Sequence, residues 1–198
     1  MRHHMRKVLG RVGALSVVVL GATACSSPSP QLYTLAAQGG DTVQGGPTLV
    51  EVVTPVISSR LDRDTIVLGD RGYQTNIATG ASWSEPLAEM LAHTLTTDLV
   101  TRLPQSRVYA QNDAVTASPT VVVEVTLRNF EADEQGHAYI SGALTVHRRD
   151  GTGGVLLQPF EWRSSDNVDH NTARLVAELS HGVSAMADIL AVQLHNTP

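Results

Sequence analysis

Apolar residues recur with two different periods along this chain, and the switches between them outline the elements. From Ser84 to Leu103, Leu87, Leu91, Leu95, Leu99 and Leu103 are spaced by four, and Ala88 and Ala92 widen the stripe. Glu89, His93, Thr97 and Thr101 fall on the opposite side, so the segment reads as an amphipathic helix. Pro86 suits its first turn, Ser82 with Glu85 fits a capping box, and Pro104 closes it. Asp98 and Arg102 read as an i,i+4 pair worth a few tenths of a kcal/mol. A second helical period runs from Asn171 to Leu194 through Leu175, Leu179, Val183, Met186, Leu190 and Leu194. His181 and His195 lie opposite that stripe with Arg174 and Asp188, and read as surface residues rather than ligands.

Between the helices the period drops to two. In residues 120–130, Val121, Val123, Val125 and Leu127 share one face, while Glu124, Thr126 and Arg128 share the other. In residues 137–148, Ala138, Ile140, Leu144 and Val146 oppose Tyr139, Ser141, Thr145 and His147. Asp150-Gly151 signals a hairpin into a third strand, residues 155–163, whose Pro159 assigns it to a sheet edge or a bulge. Before the first helix, residues 31–37, 48–54, 64–69 and 73–78 read as short strands, with a glycine-rich loop at 38–47 and a turn at Asp70-Arg71-Gly72. Val108 and Tyr109 add a short strand after the helix. The order predicts a mixed α+β fold: one mixed sheet with two main helices packed on it.

The first thirty residues follow another logic. Arg2, Arg6, Lys7 and Arg11 precede an apolar run, Val12 to Leu20, and then small residues. That is the layout of a secretory signal peptide. The run is too short for a bilayer core, which takes about 20 apolar residues. No later segment reads as a membrane span either. Cys25, the single cysteine, follows Ala22-Thr23-Ala24, which resembles a bacterial lipobox with Ala22 in place of the usual leucine. Two outcomes stay open on these residues. Cleavage between Ala24 and Cys25 with acylation of Cys25 gives a lipid-anchored protein. Plain Ala-x-Ala cleavage gives a soluble periplasmic one. Residues 1–24 are thus assigned to the signal, 25–31 to a Pro/Ser linker, and 32–198 to one domain. An extended linker of that length reaches roughly 20 Å from the lipid surface. Ser26 follows the cysteine rather than the aspartate that resembles an inner-membrane retention signal, so the periplasmic side of the outer membrane is expected.

Charge narrows the partners. The whole chain carries a formal charge of −5, its only lysine is Lys7, and removing the signal makes the body more acidic still. Such a body lacks the basic footprint that nucleic acid requires. With one cysteine there is no internal disulfide. Candidate chemistry is thin. Gly80-Ala-Ser-Trp-Ser84 lacks the second glycine of a nucleophile elbow, and there is no zinc-protease helix motif or phosphate loop. Asp62-Arg63-Asp64 and the acidic stretch Asp166 to His170 could take a metal, but read better as a turn before a strand and a cap for the last helix. Trp83 reads as a staple over the core rather than a binding platform. No catalytic, cofactor or metal site is expected.

Three motifs carry a family resemblance. The lipobox is followed by Tyr33-Thr34-Leu35. A valine-rich strand ends at Pro55, with Leu61-Asp62-Arg63 and Ile66-Val67 after it. Trp83-Ser84-Glu85-Pro86-Leu87 opens the leucine-rich helix, and Arg107-Val108-Tyr109 follows. Together they resemble the PqiC/YmbA-like ABC-type transport auxiliary lipoproteins over most of the mature chain. The one departure is a longer run from Pro55 to Leu61. The resemblance implies a fold similar to the N-terminal domain of TolB. It also implies a non-catalytic auxiliary role beside an MCE-type periplasmic protein and an ABC transporter that move lipid between membranes, and homo-oligomers such as rings. A self-assembling envelope lipoprotein with no transport role is the alternative. The expected partner surface is the wetter sheet face, Glu124, Thr126, Arg128, Tyr139, Thr145 and His147, with the loop at Leu61, Asp62 and Arg63.

Overall fold

The computed structural model describes residues 29–197. The signal segment, Ala24 and Cys25 lie outside the described residues. The elements are β1 (Gln31–Tyr33), β2 (Leu49–Val52), β3 (Val56–Ile57), β4 (Thr65–Arg71), β5 (Gln74–Trp83), α1 (Leu87–Arg102), β6 (Arg107–Ala110), β7 (Val121–Ala132), β8 (His137–Arg148), β9 (Val155–Asn167) and α2 (Thr172–His195). The fold is mixed α+β with two helices, as the two periods predict. The strands divide between two sheets, however, and this corrects the expectation of one. A small sheet has the order β1-β5-β4, and a larger one the order β6-β2-β7-β8-β9, with β3 also pairing β7. The division follows from β4 and β5, which pair antiparallel with each other as a hairpin, while β5 takes β1 in parallel on its other side.

In the larger sheet β2 pairs in parallel with both β6 and β7, which buries Val50 and Val52 completely. Leu49 and Glu51, which alternate with them, are only half-buried, so β2 turns one face to the core. β7, β8 and β9 form an antiparallel meander, and β9 is an edge, as Pro159 requires. Val121, Val123, Val125 and Leu127 turn inward with Ala138, Ile140, Leu144 and Val146. A bulge at Arg128 separates the Leu127–Gly142 pair from the Asn129–Ser141 pair. The inserted residue flips the alternation, so Phe130 and Ala132 continue the buried side.

Both helices pack with this sheet and with each other. The stripe from Leu175 to Leu194 is wholly buried. α2 is also the one helix among the described residues long and apolar enough to cross a membrane, with mean hydropathy 1.4. That differs from the expectation of no such segment. The reason is that α2 is the core helix, and most of its apolar window is buried against the sheet and α1.

Helix starts depart from expectation. Ser82 belongs to β5, which runs on to Trp83, so it cannot reach back as a cap. α1 begins after Pro86 without a side-chain cap. The cap of α2 is Asn171, whose side chain accepts the Arg174 N–H at 3.0 Å. Asp169 and His170, in the expected capping stretch, instead form a left-handed turn ahead of it. Trp83 is the expected staple: it is buried and its ring meets Phe130 at 6.3 Å between centroids. The longer run after Pro55 holds β3 and then Leu61, which plugs into the core.

Candidate functional site

Two features are built with more polar machinery than packing alone needs. The first is a clamp on the N-terminal segment. After β1, residues 34–43 cross both helices. Leu35 N–H points at Met90 Sδ (3.3 Å) and Ala36 N–H at Ser180 Oγ (3.1 Å). Gln38 N–H donates to Asp98 Oδ1 at 2.6 Å, and Val43 N–H to the Arg102 carbonyl at 2.7 Å. Arg102 is fully buried. It donates from Nε to Asp188 (2.6 Å), from Nη1 to the Gln38 and Asp98 carbonyls (3.1 and 3.0 Å), and from Nη2 to Ser184 Oγ (2.7 Å). One guanidinium thus ties the incoming chain, α1 and α2 together, using the five-donor fork that only arginine offers. Gly40 is required where the chain passes, since a Cβ there would stand 2.3 Å from Arg102 Cζ.

Asp98 and Arg102 are therefore not a surface pair. The stripe itself held the signal: Asp98 is seven residues after Leu91 and Arg102 seven after Leu95, two turns along the same face. Asp98 is fully buried and its Oδ2 has no hydrogen-bond partner. Burial pushes its carboxyl up to about 6, against the Gln38 N–H and Arg102, which favour the charge, while Asp188 raises it further. A carboxyl raised on folding stabilises the fold at low pH. That contribution declines as pH rises from the unfolded value near 3.9 through about 6, and amounts to about 3 kcal/mol. Asp98→Asn keeps an acceptor for Gln38 and removes the titration. Its urea midpoint relative to wild type is expected to climb between pH 4 and pH 7; a constant difference would remove this role from Asp98.

The second feature is the face of the larger sheet turned away from the helices. Glu124 lies opposite Thr145, Thr126 opposite Ala143, and His147 opposite Val122, so β7 and β8 bring those predicted residues together. Glu124, Thr126 and Arg128 are exposed; Tyr139, Thr145 and His147 are half-buried. His147 Nε2 stands 3.7 Å from Glu124. Toward the small sheet the face carries a chain of contacts the sequence did not reveal. Arg60 pairs with Glu131, which accepts from Asn129 Nδ2 (2.7 Å), and Asn129 accepts from Ser141 Oγ (2.8 Å). The Glu131 carboxylate raises the Arg60 guanidinium above its ordinary value. Arg163 stacks over the Tyr139 ring at 5.1 Å and pairs with Asp133 at 2.6 Å, while Tyr139 OH donates to Glu161 at 3.1 Å.

Leu61, in the loop at 61–63, does not join this face as expected. Leu61 is 2% exposed and belongs to the core, because the turn after β3 needs an apolar plug between the two sheets. It is withdrawn from the partner surface. Asp62 and Arg63 remain exposed in the turn leading to β4. Among the described residues, no group of three His, Cys, Asp or Glu side chains is placed to hold a metal.

The described residues thus form a mixed α+β domain with helices on one side of the larger sheet, polar side chains on its other side, and the N-terminal segment clamped across the helices. The chain belongs to the family of ABC-type transport auxiliary lipoprotein components, whose model matches residues 33–191. No curated protein matches the chain. Among solved structures it is similar to an uncharacterized protein at 20% identity and TM-score 0.68, covering 84% of this chain and 99% of that one. It is also similar to protein XCC0632 from Xanthomonas campestris, of family DUF330, at 16% identity and TM-score 0.64, covering 83% of this chain and 95% of that one. These likenesses bear on the fold.

Proposed function

We propose that this protein is a non-catalytic, lipid-anchored docking component of an ABC transport system that moves lipid between the inner and outer membranes. The family carries the general role. The observation that supports the docking reading is the division of labour between the two sides of the fold. The incoming chain is clamped on the helical side, by Asp98, Arg102 and Ser180. The polar sheet face is left uncovered on the other. A tether that arrives on one side leaves the opposite face open to a partner, and an MCE-type periplasmic protein is the partner in this reading.

The anchor is acylated Cys25, cleaved from Ala24, on the periplasmic side of the outer membrane. Three acyl chains hold a protein far more firmly than one, since each buried CH2 contributes about 0.8 kcal/mol. Replacing Glu124, Arg128, Tyr139 and His147 together with alanine is expected to abolish recovery of the MCE partner in a pull-down, with thermal stability close to wild type. Undiminished recovery would sink the sheet face as the docking surface.

A further inference from the structure

The β4–β5 hairpin is a third surface, separate from the clamp and from the polar face. Arg71 pairs with Gln74, so the turn between the strands is Gly72-Tyr73. Gly72 supplies the positive φ, 61°, that so short a turn needs. Tyr73 is left at the apex, fully exposed, with Gly72, Gln74 and Thr75 exposed beside it. Nothing stands within 4 Å of a Cβ built on Gly72, so the tip projects from the body. Ile77, a little further along β5, is 45% exposed.

The direction of the incoming chain says what this tip meets. β1 pairs in parallel with β5, with Gln31 opposite Ala81 and Tyr33 opposite Trp83. β5 runs away from the hairpin turn, from Gln74 to Trp83, so β1 runs away from it too. The chain therefore arrives at Gln31 from the end of the small sheet where Tyr73 lies. Cys25 precedes Gln31 by six residues, which span at most roughly 20 Å. Tyr73 precedes Ala81 by eight residues of turn and strand, roughly 25 Å at full extension. The hairpin thus reaches as far toward the anchor point as the tether itself does.

Charge agrees with direction. The chain is acidic, yet it carries no charged residue from Ser26 to Gly40, nor from Gly72 to Ser84. Those two stretches hold β1 and β5. Asp70, beside the turn, is offset by Arg60 at 3.6 Å. An uncharged strand loses no ionic hydration on approaching lipid. Tyrosine is the residue type that settles at the headgroup level, where its ring meets the acyl boundary and its hydroxyl meets water.

We propose that the Gly72-Tyr73 tip sits in the headgroup layer of the membrane that holds Cys25, as a second point of contact. This rests on the acyl anchor at Cys25, which supplies the affinity; the tip supplies orientation. A tether at one point leaves the domain free to rotate. A second point fixes its attitude, and with it the direction in which the polar sheet face is presented.

The test uses the full acylated chain, reconstituted into vesicles of phosphatidylethanolamine and phosphatidylglycerol. Acylation occupies the Cys25 sulfur, so Thr75→Cys supplies a single free thiol for an environment-sensitive fluorophore. Its emission is expected to move to shorter wavelength and to be quenched by a nitroxide carried at headgroup level. The control is the same label at Val155→Cys. Val155 is 66% exposed and stands at the opposite end of the β8–β9 pair from the Gly69–Ala132 contact, so neither change is expected there. Tyr73→Glu is expected to return the Thr75 label to an aqueous spectrum, with vesicle binding and melting temperature unchanged. The mass of the N-terminal peptide reads acylation in the same sample. On an acylated chain, a Thr75 label as wet as the Val155 label overturns the hairpin contact and leaves the anchor standing. So does a label shielded only in native envelopes, where another protein is the cover, or one that Tyr73→Glu leaves shielded. A chain with no acyl mass removes the anchor, and the hairpin contact with it.

Discussion

Arg102→Ala is expected to be the most damaging single side-chain truncation among the polar residues, costing about 3–5 kcal/mol at pH 7.5. The side chain is fully buried and serves Asp188, Ser184, Asp98 and the Gln38 carbonyl at once. Its removal leaves a cavity, unpaired carbonyls and a buried Asp98 carboxylate with no cation beside it. The cost is expected to shrink toward pH 5, because Asp98 can then take up a proton and discard its charge. Arg102→Lys is expected to recover only part of the loss, since one ammonium cannot span the same acceptors. Urea melts at the two pH values check all three statements. In a chain of this size, each kcal/mol corresponds to roughly 2–4 °C in melting temperature. A loss below 1 kcal/mol at pH 7.5 would mean that the clamp is ornamental.

Gly142→Ala is expected to cost about 3 kcal/mol or more, by forcing apart β7 and β8, the first two strands of the meander. A Cβ at this position would stand 1.9 Å from the Thr126 carbonyl oxygen and 3.2 Å from Leu127 Cα. Both are backbone atoms, so no rotamer change relieves the contact. The close approach arises at the bulge, where Gly142 faces Leu127 just before the inserted Arg128. β7 bends there, and the bend redirects Phe130 and Ala132 into the core. Gly39→Ala is the matched control, since nothing lies within 4 Å of its Cβ position. It is expected to change stability by less than about 0.5 kcal/mol. Chemical denaturation of the two variants should separate them clearly; equal stabilities would show that the strands have room to relax.

Much of the fold was legible because simple periods survive wherever one face is buried. The leucines of α1, the stripe of α2 and the alternation in β7 and β8 each place their residues on the side the structure gives them. What the sequence hid was non-local. The separation into two sheets depends on β5 taking β1 as its other neighbour, and on β2 inserting between β6 and β7. Neither choice is written in the local pattern. β3 is two residues long and too short to carry a period. Leu61 looked like a surface motif residue because polar neighbours flank it, yet a single apolar residue in a polar turn is often the plug. Asp98 and Arg102 were misread by pairing them with each other rather than with the stripe they share. The sheet face was readable as a face, while the Arg60–Glu131 pair that braces it joins residues 71 apart in sequence.

The central claim is a tethered protein that presents a docking face to a transport partner. It is tested most directly by purifying the full chain from envelope membranes and analysing its N-terminal peptide and bound proteins by mass spectrometry. The account predicts a mature chain that starts at an acylated Cys25. It also predicts ABC and MCE components among the bound proteins, lost when Glu124, Arg128, Tyr139 and His147 are replaced together. An unmodified Cys25, with no transport component recovered by the wild-type chain, would contradict it.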